Sequence, residues 1–202
     1  MTYKVKSISC PEQIDSCSLF QLKHLLWGTT SIPETYGRLG YIKSHGLYLH
    51  MTCKESDPLC TFTEPNSDVY KDSAMEAFFQ FFPHGIRSPL YLNFEYNANG
   101  ALHAKYGPDR QHRRTFPKEL HHSCHCKVLR STTQWDITLH IPLELLQYVY
   151  GDFSLLPGDH FSCNFYKISE HPGIEHYASY SNISVSTPCF HLPEYFADAQ
   201  II

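Results

Sequence analysis

Period-two alternation, repeated between turn-forming residues, is the feature that most limits how this chain can fold. Residues 46–55, GLYLHMTCKE, put Leu47, Leu49, Met51 and Cys53 on one side and Tyr48, His50, Thr52 and Lys54 on the other. A strand built this way lays one face on a core. Residues 90–107, LYLNFEYNANGALHAKYG, alternate through Leu90, Leu92, Phe94 and Tyr96. They turn at Asn97-Ala98-Asn99-Gly100, residues that tolerate positive φ, and return through Leu102, Ala104 and Tyr106. TTQWDITLHIP repeats the habit through Trp135, Ile137, Leu139 and Ile141, and DHFSCNFYKI through Phe161, Cys163, Phe165 and Lys167. Helical signals are few. PLELLQYVYG has Pro142 at its start and Gly151 as a stop, and DSCSLFQLKHLL is a second candidate. The expectation is an all-β, antiparallel β-sandwich, jelly-roll-like or immunoglobulin-like, with one or two short helices. It forms a single domain over 1–202 with its core at about 20–196.

One stretch resists a purely structural reading. In NSDVYKDSAMEAFF, residues 66–79, the carboxylate of Glu76 lies among Met75, Ala77, Phe78 and Phe79. Burying an unpartnered charge is costly. As a strand, Met75, Ala77 and Phe79 share the core side, and Ala74, Glu76 and Phe78 the other. Tyr91, Asn93, Glu95 and Asn97 make a similar polar-aromatic face on the next hairpin. Two such faces side by side either floor a cleft or are wet, as antiparallel sheets often are on one side.

Composition excludes some functions. The net charge is −4 with histidines neutral, which gives no global attraction for nucleic acid, and 14% of residues are aromatic. No segment is long and apolar enough to span a membrane, and MTYKVKSISCPEQ has no signal-peptide core. The expectation is a cytoplasmic protein whose eight cysteines are thiols.

DVYKDSAMEAFF, YLNFEYNANG and SYSNISVSTPCFHLPEYF occur in an order that resembles the family 9 carbohydrate-binding modules, from Trp27 to Phe196. The resemblance implies a β-sandwich that binds mono- or oligosaccharides noncovalently, accessory to carbohydrate catabolism. Two rings sandwich the sugar and polar side chains bond its hydroxyls. By position Tyr70 and Tyr180 are the rings and Glu76 the hydroxyl-binding carboxylate. Asn93, Asn164 and Lys167 are further contacts. Both rings are tyrosines where sugar-binding members use tryptophan, and Asn93 is no guanidinium. Trp135 and Trp27 are assigned to structure. Members can carry structural calcium, for which Asp57, Glu64, Asp68 and Asp72 are the candidate ligands.

Other constellations are weaker. His121, His122, Cys124, His125 and Cys126 suggest a metal- or cofactor-binding alternative, although their spacing is poor for structural zinc. Glu76 and Glu95 are an imaginable glycosidase pair. KYGPDRQHRR, with Lys105, Arg110, Arg113 and Arg114, reads as a solvated loop.

Overall fold

The computed structural model describes residues 2–202. The strands are β1 (Tyr3–Ser7), β2 (Leu19–Gln21), β3 (His24–Leu25), β4 (Thr35–Ile42), β5 (Gly46–Cys53), β6 (Ala74–Phe81), β7 (Tyr91–Asn97), β8 (Leu102–Gly107), β9 (Arg114–Thr115), β10 (Lys127–Arg130), β11 (Trp135–Pro142), β12 (His160–Ser169), β13 (His176–Ser179) and β14 (Ala197–Ile201). The helices are α1 (Lys118–Ser123) and α2 (Leu143–Tyr150). Hydrogen bonds connect the strands in one continuous path, which folds over into two leaves. The first runs β14-β12-β6-β7-β8-β9, extended by β13 and β3. The second runs β4-β5-β11-β10, with β2 on β4.

The alternation read from the sequence sets the core. Met75, Phe79 and Phe94 of the first leaf meet Leu49, Met51 and Ile137 of the second in one cluster without solvent exposure. Trp135 is fully buried there, as expected. Alternate side chains of a strand point to opposite faces, so one period-two pattern per strand fixes the interior of the sandwich.

β1 joins the leaves and departs from the all-antiparallel expectation. Tyr3–Val5 pair in parallel with Ala199–Ile201, then Lys6 and Ser7 pair in parallel with Gly40 and Tyr41. The same short strand thus passes from one leaf to the other.

α2 forms where expected. Pro142 precedes it, Leu145 and Leu146 are buried, and Gly151 ends it at φ 76° with its N–H on the Gln147 carbonyl. The helix expected in 15–26 does not form. A 3₁₀ turn at Pro11–Ser16 precedes β2 and β3. Phe20 is the reason: it inserts between the leaves and stacks on Phe165 with centroids 3.7 Å apart, while Leu19–Gln21 pair with Tyr36–Arg38. Sheet pairing and ring burial together outweigh a marginal helix of about three turns.

The outer face of the first leaf is not wet. Leu26, Phe78, Tyr91, Tyr166, Tyr177, Ile183 and Phe190 form a second apolar cluster on it. Much of the cover is residues 181–196, a strap with only a 3₁₀ turn at Pro193–Tyr195. Phe190 anchors the strap by stacking on Tyr166, with centroids 4.1 Å apart.

Candidate functional site

Between the strap and the outer face of the first leaf lies a cleft of about 170 Å³. Strand register builds its floor. Tyr166 faces Glu76, Glu76 faces Glu95, and Glu95 faces His103, on β12, β6, β7 and β8 in turn. Adjacent strands lie about 4.8 Å apart. Glu76, Glu95 and His103 are therefore a file of titratable groups across one sheet face, and all three line the cleft.

Glu76 is 2% exposed, and no donor bonds its carboxyl among the described residues. Burial, and then the charge of Glu95 opposite, raise its pKa well above the usual carboxylate value; Arg113 and Arg110 oppose the rise. Glu95 is differently supported. Its Oε1 accepts from Asn93 Nδ2 at 2.9 Å and sits 3.5 Å from an Arg113 guanidinium nitrogen.

Aromatic groups close the cleft. Tyr70 stands on a 3₁₀ turn, Val69–Lys71, and Tyr177 on β13; Trp27 follows β3 and Phe190 comes from the strap. Trp27 adopts φ 48°, a region that bulky residues rarely occupy. It is fixed there by an indole N–H bond to the Val185 carbonyl at 2.8 Å and by an edge contact with Tyr177 at 5.4 Å. Strained backbone of this kind clusters at ligand clamps. His191 Nδ1 and the Tyr91 hydroxyl share a hydrogen bond at 2.9 Å. Burial, then the charges of Arg113 and Arg110, push the pKa of His191 down to about 2.

Of the residues expected at the site, Tyr70 and Glu76 line this cleft. Tyr180 does not. Alternation along β13 gives Tyr177 the cleft side, and Tyr180, three residues on, faces the interior, edge-on to Tyr3, Phe20 and Phe165. Lys167 is also turned inward, by the alternation that buries Phe161, Cys163 and Phe165. Its Nζ lies 2.5 Å from Ser73 Oγ, 3.1 Å from His176 Nε2 and 3.8 Å from Glu55. Asn164 is on the outer face but holds the strap, donating to the Ser181 carbonyl at 3.0 Å and accepting from the Ser181 N–H at 2.8 Å. Asn93 stands behind Glu95 as its hydrogen-bond support.

Sequence reading missed Trp27, Tyr177 and the basic wall. Lys105, Arg110 and Arg113 line the cleft and are not simply a solvated loop. The parity of Lys105 on β8, matching His103, was the available signal. Trp27-Gly28 offered only a turn signal.

The residues proposed for calcium do not fit it. Both Asp72 oxygens are filled by donors: Thr61 N at 2.8 Å, Phe62 N at 3.1 Å, Asn97 Nδ2 at 2.7 Å and Thr61 Oγ1 at 2.8 Å. Asp68 pairs with Lys71 at 2.8 Å, and Asp57 and Glu64 are exposed. Among the described residues no three His, Cys, Asp or Glu groups converge as a metal site, the 121–126 cluster included. There α1 directs the His121 ring to the Leu102 carbonyl, 3.0 Å away.

Comparison with known proteins agrees with this architecture. No curated protein matches the sequence. Among solved structures, a proposed carbohydrate-binding protein from Bacteroides uniformis aligns with TM-score 0.85 and 24% identity, covering 100% of this chain and 99% of its own. A family 9 carbohydrate-binding module from Caldicellulosiruptor kristjanssonii in complex with cellotriose aligns at TM-score 0.66 and 11% identity over 98% of this chain and 93% of its own. One in complex with glucose aligns at 0.69 and 11% over 100% and 96%. The family model for carbohydrate-binding family 9 matches residues 10–201, nearly the whole chain, and the protein belongs to that family.

Proposed function

We propose that the protein binds carbohydrate noncovalently and that the cleft between the strap and the first leaf is the site. The observation that carries this is Glu76, an acid buried without a protein donor at the floor of a small cleft walled by four aromatic side chains. A pyranose has apolar C–H faces and a rim of hydroxyls. Tyr70, Trp27, Tyr177 and Phe190 suit the faces, and Glu76 and Glu95 accept from the rim. Clefts for drug-sized ligands run roughly 300–1,000 Å³, so about 170 Å³ suits a single sugar ring. The two C. kristjanssonii structures, which hold glucose and cellotriose, support the reading.

Hydroxyl donors favour the ionised acid, so binding offsets part of what burial costs Glu76. Competition from water keeps affinity in the micromolar to millimolar range, roughly −8 to −4 kcal/mol. A glycan array followed by calorimetry tests the reading. Glu76→Gln, Tyr70→Ala and Trp27→Ala should each weaken the best ligand about tenfold or more, as expected for losing roughly 1.5–3 kcal/mol. Tyr180→Ala should leave affinity within about twofold, because that ring is outside the cleft. Parent-like affinity in the first three variants overturns the assignment.

A further inference from the structure

One wall of the cleft carries more donor capacity than the protein uses. Lys105 and Arg110 both line it, and among the described residues neither has a carboxylate within ion-pairing distance. Arg113 bonds the Arg110 carbonyl through Nε at 3.1 Å and touches Glu95 with one terminal nitrogen. A guanidinium has five N–H donors, so most of its capacity is unspent.

His103 shows independently that the cleft awaits a ligand, here one with a donor. Its Nδ1 lies 3.0 Å from the Ser67 carbonyl, which accepts only, so Nδ1 carries the proton. That leaves a lone pair on Nε2. The side chain is 5% exposed, and Nε2 is buried without any hydrogen-bond partner. Native structures rarely leave such an atom unsatisfied, and one aimed into a cleft is completed by what the cleft holds.

The acids of the cleft do not use up the wall. Asp68 is paired with Lys71, and Glu95 is held by Asn93 and Arg113. Glu76 is biased toward its neutral form by burial and by Glu95. The pKa of Glu170, at the rim, is raised chiefly by burial and lowered by the charge of Arg110, with which it makes no ion pair. A neutral saccharide would answer His103 and Glu76 but leave Lys105 and Arg110 with water.

We infer that the saccharide bound here carries an anionic substituent, a uronic carboxylate or a sulfate ester, gripped by Lys105 and Arg110 with the free edge of Arg113. A hydroxyl of the same ring donates to His103 Nε2. The inference rests on the cleft being the saccharide site.

Calorimetry on the full chain with matched monosaccharides tests it: glucose, glucuronate and glucose 6-sulfate, then galactose, galacturonate and galactose 6-sulfate. At low salt at least one anionic ligand should bind about tenfold tighter than its neutral parent, as one charge-assisted contact allows. The ratio should shrink as salt is raised. The Lys105→Ala/Arg110→Ala variant should bring it to within about twofold. The carboxylate and sulfate arms show which anion is preferred. Neutral sugars binding as tightly as both anionic forms overturns the inference and leaves the proposed function standing. No binding of any saccharide by the parent overturns the proposed function itself.

Discussion

Lys167 holds its amine at a point with no solvent contact. Burial lowers its pKa, while Cys53 and Glu55 oppose the shift. Glu55 in turn accepts from Ser73 at 2.7 Å and from the Trp135 indole at 3.1 Å, so the network stitches β12 to the second leaf. Removing one partner of a buried pair strands the other. Lys167→Met should therefore destabilise the protein by about 2–3 kcal/mol, discounted because Glu55 keeps some exposure. Urea unfolding measures this, with saccharide affinity as the control. A parent-like midpoint would show that the network contributes nothing. The alternation through Phe161, Cys163 and Phe165 already put Lys167 inward; only its position in the family pattern suggested a ligand contact. Local periodicity proved the better guide. It also separates Tyr177 from Tyr180, whereas Glu76 satisfied both lines of argument and Tyr70, on a turn, was legible only from its place in the family pattern. Trp27 was not legible, because a positive φ at a tryptophan follows from its contacts with Val185 and Tyr177 and not from propensity.

Strands with a clear inward face, and helices with both punctuation marks, were legible as elements. The turn at Asn97–Gly100, with Gly100 at φ 80°, and the stop at Gly151 both form. Residues 15–26 were not, since the spacing of their apolar side chains fits either period and Phe165 decides between them. The strap has no period at all, and Phe190 and Asn164 hold it through contacts distant in sequence. The tightest backbone approach is at the β4–β5 turn. Gly46 lies at φ 118°, and a Cβ there would meet the Ile141 carbonyl at 2.1 Å and the Leu143 nitrogen at 2.8 Å. Gly46→Ala should cost more than about 2 kcal/mol, combining backbone strain with a collision against atoms that cannot move aside. Gly28→Ala is the comparison: φ is 84° but nothing lies within 4 Å, so about 1 kcal/mol of strain remains. Thermal melts of the two variants check the order. Equal losses would mean that the β4–β5 turn relaxes away from β11.

At the scale of the molecule, buried titratable groups fix how stability responds to pH. His176 is pushed from 6.5 down to about 4, by burial and then by Lys167, and His191 down to about 2. The unfolded chain protonates these rings first, so their contribution is complete above pH 6.5 and is lost as pH falls toward 4 and then 2. Glu76 acts in the opposite sense: its raised pKa removes stability as pH rises above 4.5. The two effects oppose each other between 4.5 and 6.5. Below 4.5 the histidines remain, joined by Glu55 and Asp68, whose pKa values are depressed and whose contributions fade in acid. Urea midpoints should fall most steeply below pH 4.5, and His176→Gln should remove the loss that His176 contributes between pH 6.5 and about 4. A midpoint that holds or rises there would contradict the buried, neutral state of these rings. The two-leaf arrangement followed from the sequence pattern. The path between the leaves did not, because it depends on pairing Tyr3 with Ala199, and no local signal reports a contact across that separation.

That pairing bears on how the protein is made. β14 lies between β1 and β12. The strand that links β1 to the first leaf, residues 197–201, follows both β1 and β12 in the chain. Until it docks, Tyr3–Val5 of β1 and His160–Cys163 of β12 each present an unfilled row of backbone donors and acceptors to whatever is nearby. Chains in which residues 197–201 have not yet docked should therefore depend on chaperones, or on dilution, to escape aggregation.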